Sequence, residues 1–148
     1  MRMTVHIVGG LVLVAVIGLA GCGRPFYDAS RATRSYPEHL HTTNVVNMHV
    51  LIEGSHLTIV NSTATSYSNF DMWINQRYVH HIESLRAGET LRVPMGLFYD
   101  ERGDAVRSGG FLRTVEATAV RLVEIQTGPD EPMIGLVTIP EGQDAPSR

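Results

Sequence analysis

Val46, Met48, Val50 and Ile52 fall on one side of an alternating stretch, and this two-residue period constrains the fold more than any other feature of the chain. Successive side chains of a strand point to opposite faces, so such a run offers one face to a core. Glu53-Gly54-Ser55 supplies turn chemistry, and Leu57 and Ile59 carry the alternation past it. Phe70, Met72 and Ile74 alternate with Asp71, Trp73 and Asn75, which makes a third strand with a polar face that bears the tryptophan. Residues 78–82 and 91–95 read as the next two strands, separated by Leu85-Arg86-Ala87-Gly88-Glu89-Thr90, where Gly88 accepts a backbone angle that other residues resist. Asp100-Glu101-Arg102-Gly103 and Ser108-Gly109-Gly110 are further turns, the first lying between Leu97-Phe98-Tyr99 and Ala105-Val106. Over residues 120–126 helix propensity is adequate, but the β-branched residues there favour a strand, and Gly128-Pro129-Asp130 breaks it before a last strand at 133–139. Short strands with glycine-bearing turns predict an all-β domain, an antiparallel β-sandwich of about seven or eight strands.

The N-terminus is a different kind of sequence. Arg2 precedes residues 7–20, which are only Ile, Val, Leu, Ala and Gly, and small residues follow. That is the layout of an export signal. A membrane-spanning helix needs about 20 apolar residues, and this run ends too early. Leu19-Ala20-Gly21-Cys22 resembles the lipobox of bacterial lipoprotein precursors. The resemblance implies cleavage between Gly21 and Cys22, with a diacylglyceryl group on the Cys22 thiol and an acyl chain on the new amine. Two or three acyl chains make a durable anchor, since each buried methylene contributes about 0.8 kcal/mol. Gly23, where an inner-membrane lipoprotein of a Gram-negative cell commonly has Asp, implies the outer membrane. The turns Leu85-Arg86-Ala87-Gly88-Glu89-Thr90 and Phe98-Tyr99-Asp100-Glu101-Arg102-Gly103 look like those of immunoglobulin-like domains in bacterial envelope proteins, which implies a sandwich of that kind.

Removing residues 1–21 takes away Arg2 and no acid, so the formal charge falls from −3 to −4, which speaks against nucleic acid as a partner. Every basic residue is Arg and none is Lys, a bias that a GC-rich genome produces. With the one cysteine consumed by lipid no intrachain disulfide forms, and packing alone must stabilise the domain. The expected organisation is a signal peptide over 1–21, a lipidated N-terminus and flexible tether over 22–43, a β-domain over 44–140 and a polar tail over 141–148.

Candidate chemistry is sparse. His39, His41, His80 and His81 are imidazoles of the kind that ligate metals, but the first pair lies in the tether and adjacent strand residues point to opposite faces, so no metal is expected. Asp100, Glu101 and Asp104 lack the alternating acids of a calcium loop and read as turn residues. Ser84, His81 and Glu83 supply the types of a hydrolase without a nucleophile elbow around them. Asn61-Ser62-Thr63 matches a glycosylation sequon that has no meaning in a bacterial lipoprotein. Trp73 and Tyr67 are the better clue: exposed, they mark contact with a protein or sugar; buried, they are core residues of a sandwich. The expectation is a non-enzymatic envelope lipoprotein, without cofactor, that binds a protein or cell-wall component, or else serves as an accessory subunit of a larger envelope complex.

Overall fold

The computed structural model describes residues 26–108 and 116–139. The segment Leu19-Ala20-Gly21-Cys22 lies outside the described residues, as do the 109–110 part of the third turn and the tail after 139.

Seven strands follow the alternation closely: β1 (Val45–Glu53), β2 (His56–Asn61), β3 (Tyr67–Ile74), β4 (Tyr78–Leu85), β5 (Thr90–Pro94), β6 (Val123–Gln126) and β7 (Ile134–Ile139). The chain is all-β, with short 3-10 turns at Ala29–Arg31, Glu38–Leu40 and Met95–Leu97. Met48 and Val50, Leu57 and Ile59, and Phe70, Met72 and Ile74 are all buried, so each run turns its apolar face inward. Gly54, Gly88 and Gly103 all have positive φ at the expected turns. Among the described residues no helix is long and apolar enough to cross a membrane.

The arrangement departs from an antiparallel sandwich. All seven strands belong to one sheet in the order β4-β3-β6-β7-β1-β2-β5, and β1 pairs with β7 in parallel. The reason is topological. β1 and β3 run in the same direction, and the antiparallel β6–β7 hairpin is inserted between them. Two opposed strands placed between two like-directed ones must leave one parallel contact.

The sheet must also curl. Its edge strands β4 and β5 are joined by residues 86–89 alone. A flat sheet of this order would hold its edges about 29 Å apart at the usual strand spacing, whereas the link from Leu85 to Thr90 reaches at most about 17 Å. The result is close to a barrel, and apolar residues from all seven strands meet in one interior cluster. Asn61 fastens the closing corner. Its Nδ2 donates to the carbonyls of Thr65 at 2.8 Å and Arg86 at 3.0 Å, while its Oδ1 accepts from the backbone and hydroxyl of Thr63. Tyr99 covers part of the other edge, exchanging backbone hydrogen bonds with Val79 of β4.

Two local expectations are corrected. β6 begins at Val123 rather than at residue 120, because Asn75 of the β3–β4 turn takes the preceding backbone donors, Arg121 N–H and Leu122 N–H, on its side-chain oxygen. The stretch expected to be a flexible tether is packed onto the sheet from Phe26 onward. The Phe26 carbonyl accepts from Ala105 N–H at 2.6 Å, Asp28 N–H donates to Gly103 O at 2.8 Å, and Leu40 O accepts from Met133 N–H at 2.8 Å. Gly103 is a necessity of this docking, since a Cβ there would fall inside the van der Waals shell of the Asp28 carbonyl. Residues 33–41 of this segment form a strap across the outer face of the sheet.

Candidate functional site

The strap crosses β4, β3 and β6 where register sets side chains in two rows. Asp71 of β3 lies opposite His81 of β4 and Gln126 of β6, and Trp73 lies opposite Val79 and Glu124. These positions are on the outer face by alternation, yet Trp73, Glu124 and Gln126 are almost wholly buried. The strap covers them. Tyr36 packs edge-on against the Trp73 ring at 5.3 Å, and Leu40 joins Val79 and Met133 in a second, smaller apolar cluster.

The polar side chains are held as tightly as the apolar ones. The Tyr36 hydroxyl donates to one oxygen of Glu124 at 2.9 Å, and His41 Nδ1 lies 2.8 Å from the other. Burial, and then the Glu124 carboxylate, push the Tyr36 hydroxyl well above the usual tyrosine range. At the other row, Arg34 Nη2 donates to Asp71 Oδ2 at 2.5 Å and to Gln126 Oε1 at 2.7 Å, while its guanidinium lies 5.0 Å over the Trp73 ring. His81 Nδ1 is 2.8 Å from Asp71 Oδ1. Burial works to raise the Asp71 carboxyl, but the bonds from Arg34 and His81 outweigh it and hold the group below the usual carboxylate range.

Clefts flank this centre. One of about 470 Å³ is bordered by Arg31, Arg34, Val79, His81, Leu97 and Tyr99. A second, of about 370 Å³, lies on the other side of Arg34 against Asn69, Gln126 and Pro129. A third, of about 380 Å³, runs between Tyr36, Gln76, Arg77 and Glu101.

The residues singled out in the sequence are dispersed by the fold. Trp73 is core, but core to the outer cluster beneath the strap. Tyr67 does not share its face: Asn69 adopts a left-handed backbone with φ 49°, the alternation is interrupted, and Tyr67 packs edge-on against Phe70 over the main interior. His39 and His41 lie on the strap, whereas His80 stacks on Phe98 and His81 turns outward to Asp71. Burial, and then the neighbouring His81, push the His80 imidazole below its usual range. Among the described residues no three His, Cys, Asp or Glu gather in a metal-binding group. No hydrogen bond joins Ser84 to His81 among the described residues, and His81 Nδ1 faces Asp71 instead. Asn61 of the sequon is the buried corner residue described above.

Asp100 organises its turn rather than facing solvent. It accepts from Arg77 Nη2 at 2.6 Å and Arg77 Nε at 2.9 Å, and from the backbone N–H of Arg102 and Asp104 at 2.9 Å each. Burial works to raise its carboxyl, but these donors, Arg77 foremost, hold it below the usual range. A depressed folded value means the ionised form contributes stability that is present above about pH 4 and is lost as pH falls through the folded value. Asp100→Asn is therefore expected to lower stability at pH 7 by about 1–3 kcal/mol and to flatten the acid limb of the pH profile. Urea titrations from neutral pH to pH 3 read both effects; an acid limb as steep as in the unsubstituted protein would contradict the assignment.

Sequence reasoning missed Arg34, Tyr36 and Glu124 as a group. The only signal was composition: a tryptophan on an otherwise polar strand face needs a cover. No protein-family model matches the chain, and no curated protein and no solved structure matches it either.

Proposed function

We propose that the chain is a lipid-anchored bacterial envelope lipoprotein whose β-domain is a non-enzymatic binding module, held by Cys22 on a membrane, the outer membrane where the cell has one. The observation that carries this reading is the run of Arg2, the apolar stretch 7–20 and Leu19-Ala20-Gly21-Cys22 immediately ahead of a packed domain. Only Gly23, Arg24 and Pro25 separate Cys22 from Phe26, which is already hydrogen-bonded to the domain. Such a link spans at most about 14 Å. A domain on so short a leash works at the head-group surface.

The binding reading is preferred to catalysis because the outer-face carboxylates and imidazoles are engaged with one another. Glu124 is closed by Tyr36 and His41, and Asp71 by Arg34 and His81. The partner is a protein or cell-wall component. A photoreactive residue at Ser35, which borders the third cleft, is expected to form adducts in native membranes, while one at the exposed Arg92 of β5, which the strap does not cross, is not. Mass spectrometry of the adducts distinguishes varied or glycan partners, the binding-module result, from one stoichiometric protein complex, which would make the chain an accessory subunit. Equal labelling from both positions would contradict a partner surface on the outer face.

A further inference from the structure

The cleft of about 470 Å³ beside the strap brings two arginines together in a chain whose formal charge is negative. Arg31 and Arg34 border it with the imidazoles of His80 and His81, and Asp71 is the one acid among its lining residues. Both Asp71 oxygens are already used, one on Arg34 and the other on His81. The carboxylate thus acts as a bracket that orients two donors. Among the described residues Arg34 uses only Nη2 for its hydrogen bonds, to Asp71 and Gln126, leaving Nε and Nη1 for a ligand. His81 is held through Nδ1, which leaves Nε2.

Aromatic shelves fix the arginines. Arg34 lies over Trp73 at 5.0 Å and Arg31 over Tyr99 at 5.5 Å. A guanidinium whose plane is held this way loses less side-chain freedom when it closes on an oxyanion, and its forked donors match carboxylate and phosphate geometry. The Arg31 ion pair with Asp28 is long, at 3.8 Å, and the side chain is 57% exposed. Beside these donors stand Val79, Tyr99 and the exposed Leu97, an apolar wall for whatever carries the charge. The volume is in the range of small-ligand sites, which begin at about 300 Å³.

We infer that this cleft binds an oxyanion, a carboxylate or phosphate, carried on a flat or apolar stem. The inference rests on the reading of the domain as a binding module and names the chemistry of its ligand. The probe is phenyl phosphate, titrated into the full-length protein in a neutral detergent at matched ionic strength and followed through the imidazole resonances of His81. Saturable shifts are expected, with affinity weakened about tenfold in Arg31→Gln and unchanged in Arg92→Gln. Melting of Arg31→Gln should match the unsubstituted protein, because the side chain is exposed. Benzoate in place of phenyl phosphate tests the carboxylate arm. Micelles doped with phosphatidylglycerol test a lipid head group as the source, and a response confined to them still supports an oxyanion site. No saturable response to any of the three, or equal binding by Arg31→Gln, overturns the inference. Adducts from Ser35 that persist in that case leave the binding-module reading standing, so the two failures are distinguishable.

Discussion

Trp73→Ala is expected to destabilise the domain by about 3–5 kcal/mol, a large part of the roughly 5–15 kcal/mol that holds an ordinary domain folded. The indole is fully buried, and its loss removes material from a layer that is thin to begin with. Tyr36 loses the ring it packs against, Arg34 loses its shelf, and Val79 and Met133 are left beside a void. One feature moderates the cost: the indole N–H is buried without a hydrogen-bond partner among the described residues, and removing it relieves a desolvation penalty of about 1–3 kcal/mol. Chemical denaturation followed by circular dichroism gives the free energy. Hydrogen exchange over residues 33–41 gives the second readout, since the strap should lose protection before the sheet does. Tyr36→Phe serves as the comparison, retaining the ring contact while removing the bond to Glu124, and should cost about 1–2 kcal/mol. An unchanged urea midpoint in Trp73→Ala would refute the buried outer cluster.

Asn61→Ala is expected to cost about 2–4 kcal/mol, acting through hydrogen bonds rather than volume. The side chain is fully buried and has no substitute at the corner. Its removal strands the Arg86 carbonyl and the Thr63 N–H and leaves the Thr65 carbonyl only the Thr63 hydroxyl, at 3.2 Å, in a place where the turn is already fixed by Asn61 N–H to Glu89 O and Gly88 N–H to Asn61 O, both at 2.9 Å. Because residues 86–89 are the only covalent link between the sheet's two edges, loosening them opens the near-closed sheet along its seam. Urea unfolding should show a lower midpoint. An effect below about 0.5 kcal/mol, typical of surface substitutions, would mean that the corner is held by the backbone alone.

The strands were legible because burial on one face writes itself into local sequence. Phe70, Met72 and Ile74 report their own strand without reference to any other residue. The positive-φ glycines 54, 88 and 103 do the same for turns. What local pattern does not carry is pairing order, so the inserted β6–β7 hairpin and its parallel contact with β1 had no signature, and one curled sheet was read as two. The strap was invisible for the same reason in stronger form. Its residues have no period, and Tyr36 meets Glu124 across 88 positions of sequence. Trp73 reads from sequence as lying on a polar strand face, and what buries it there comes from a stretch that reads as linker. Strict alternation would set Tyr67 on the face of Trp73, and the left-handed Asn69 that moves it to the other face leaves no mark that distinguishes it from any other asparagine.

The strap also changes what the N-terminus means. With packing that begins at Phe26, the proposed attachment at Cys22 would fix where the domain stands rather than merely keep it nearby. That makes the thiol the residue on which the functional reading depends. The direct test is growth of cells with a labelled fatty-acid analogue, comparing the unsubstituted protein with Cys22→Ala. The unsubstituted protein should carry label and run as a processed form, and Cys22→Ala should accumulate as unlabelled, uncleaved precursor. Label retained in Cys22→Ala, or a processed protein whose Cys22 is a free thiol, would contradict the account.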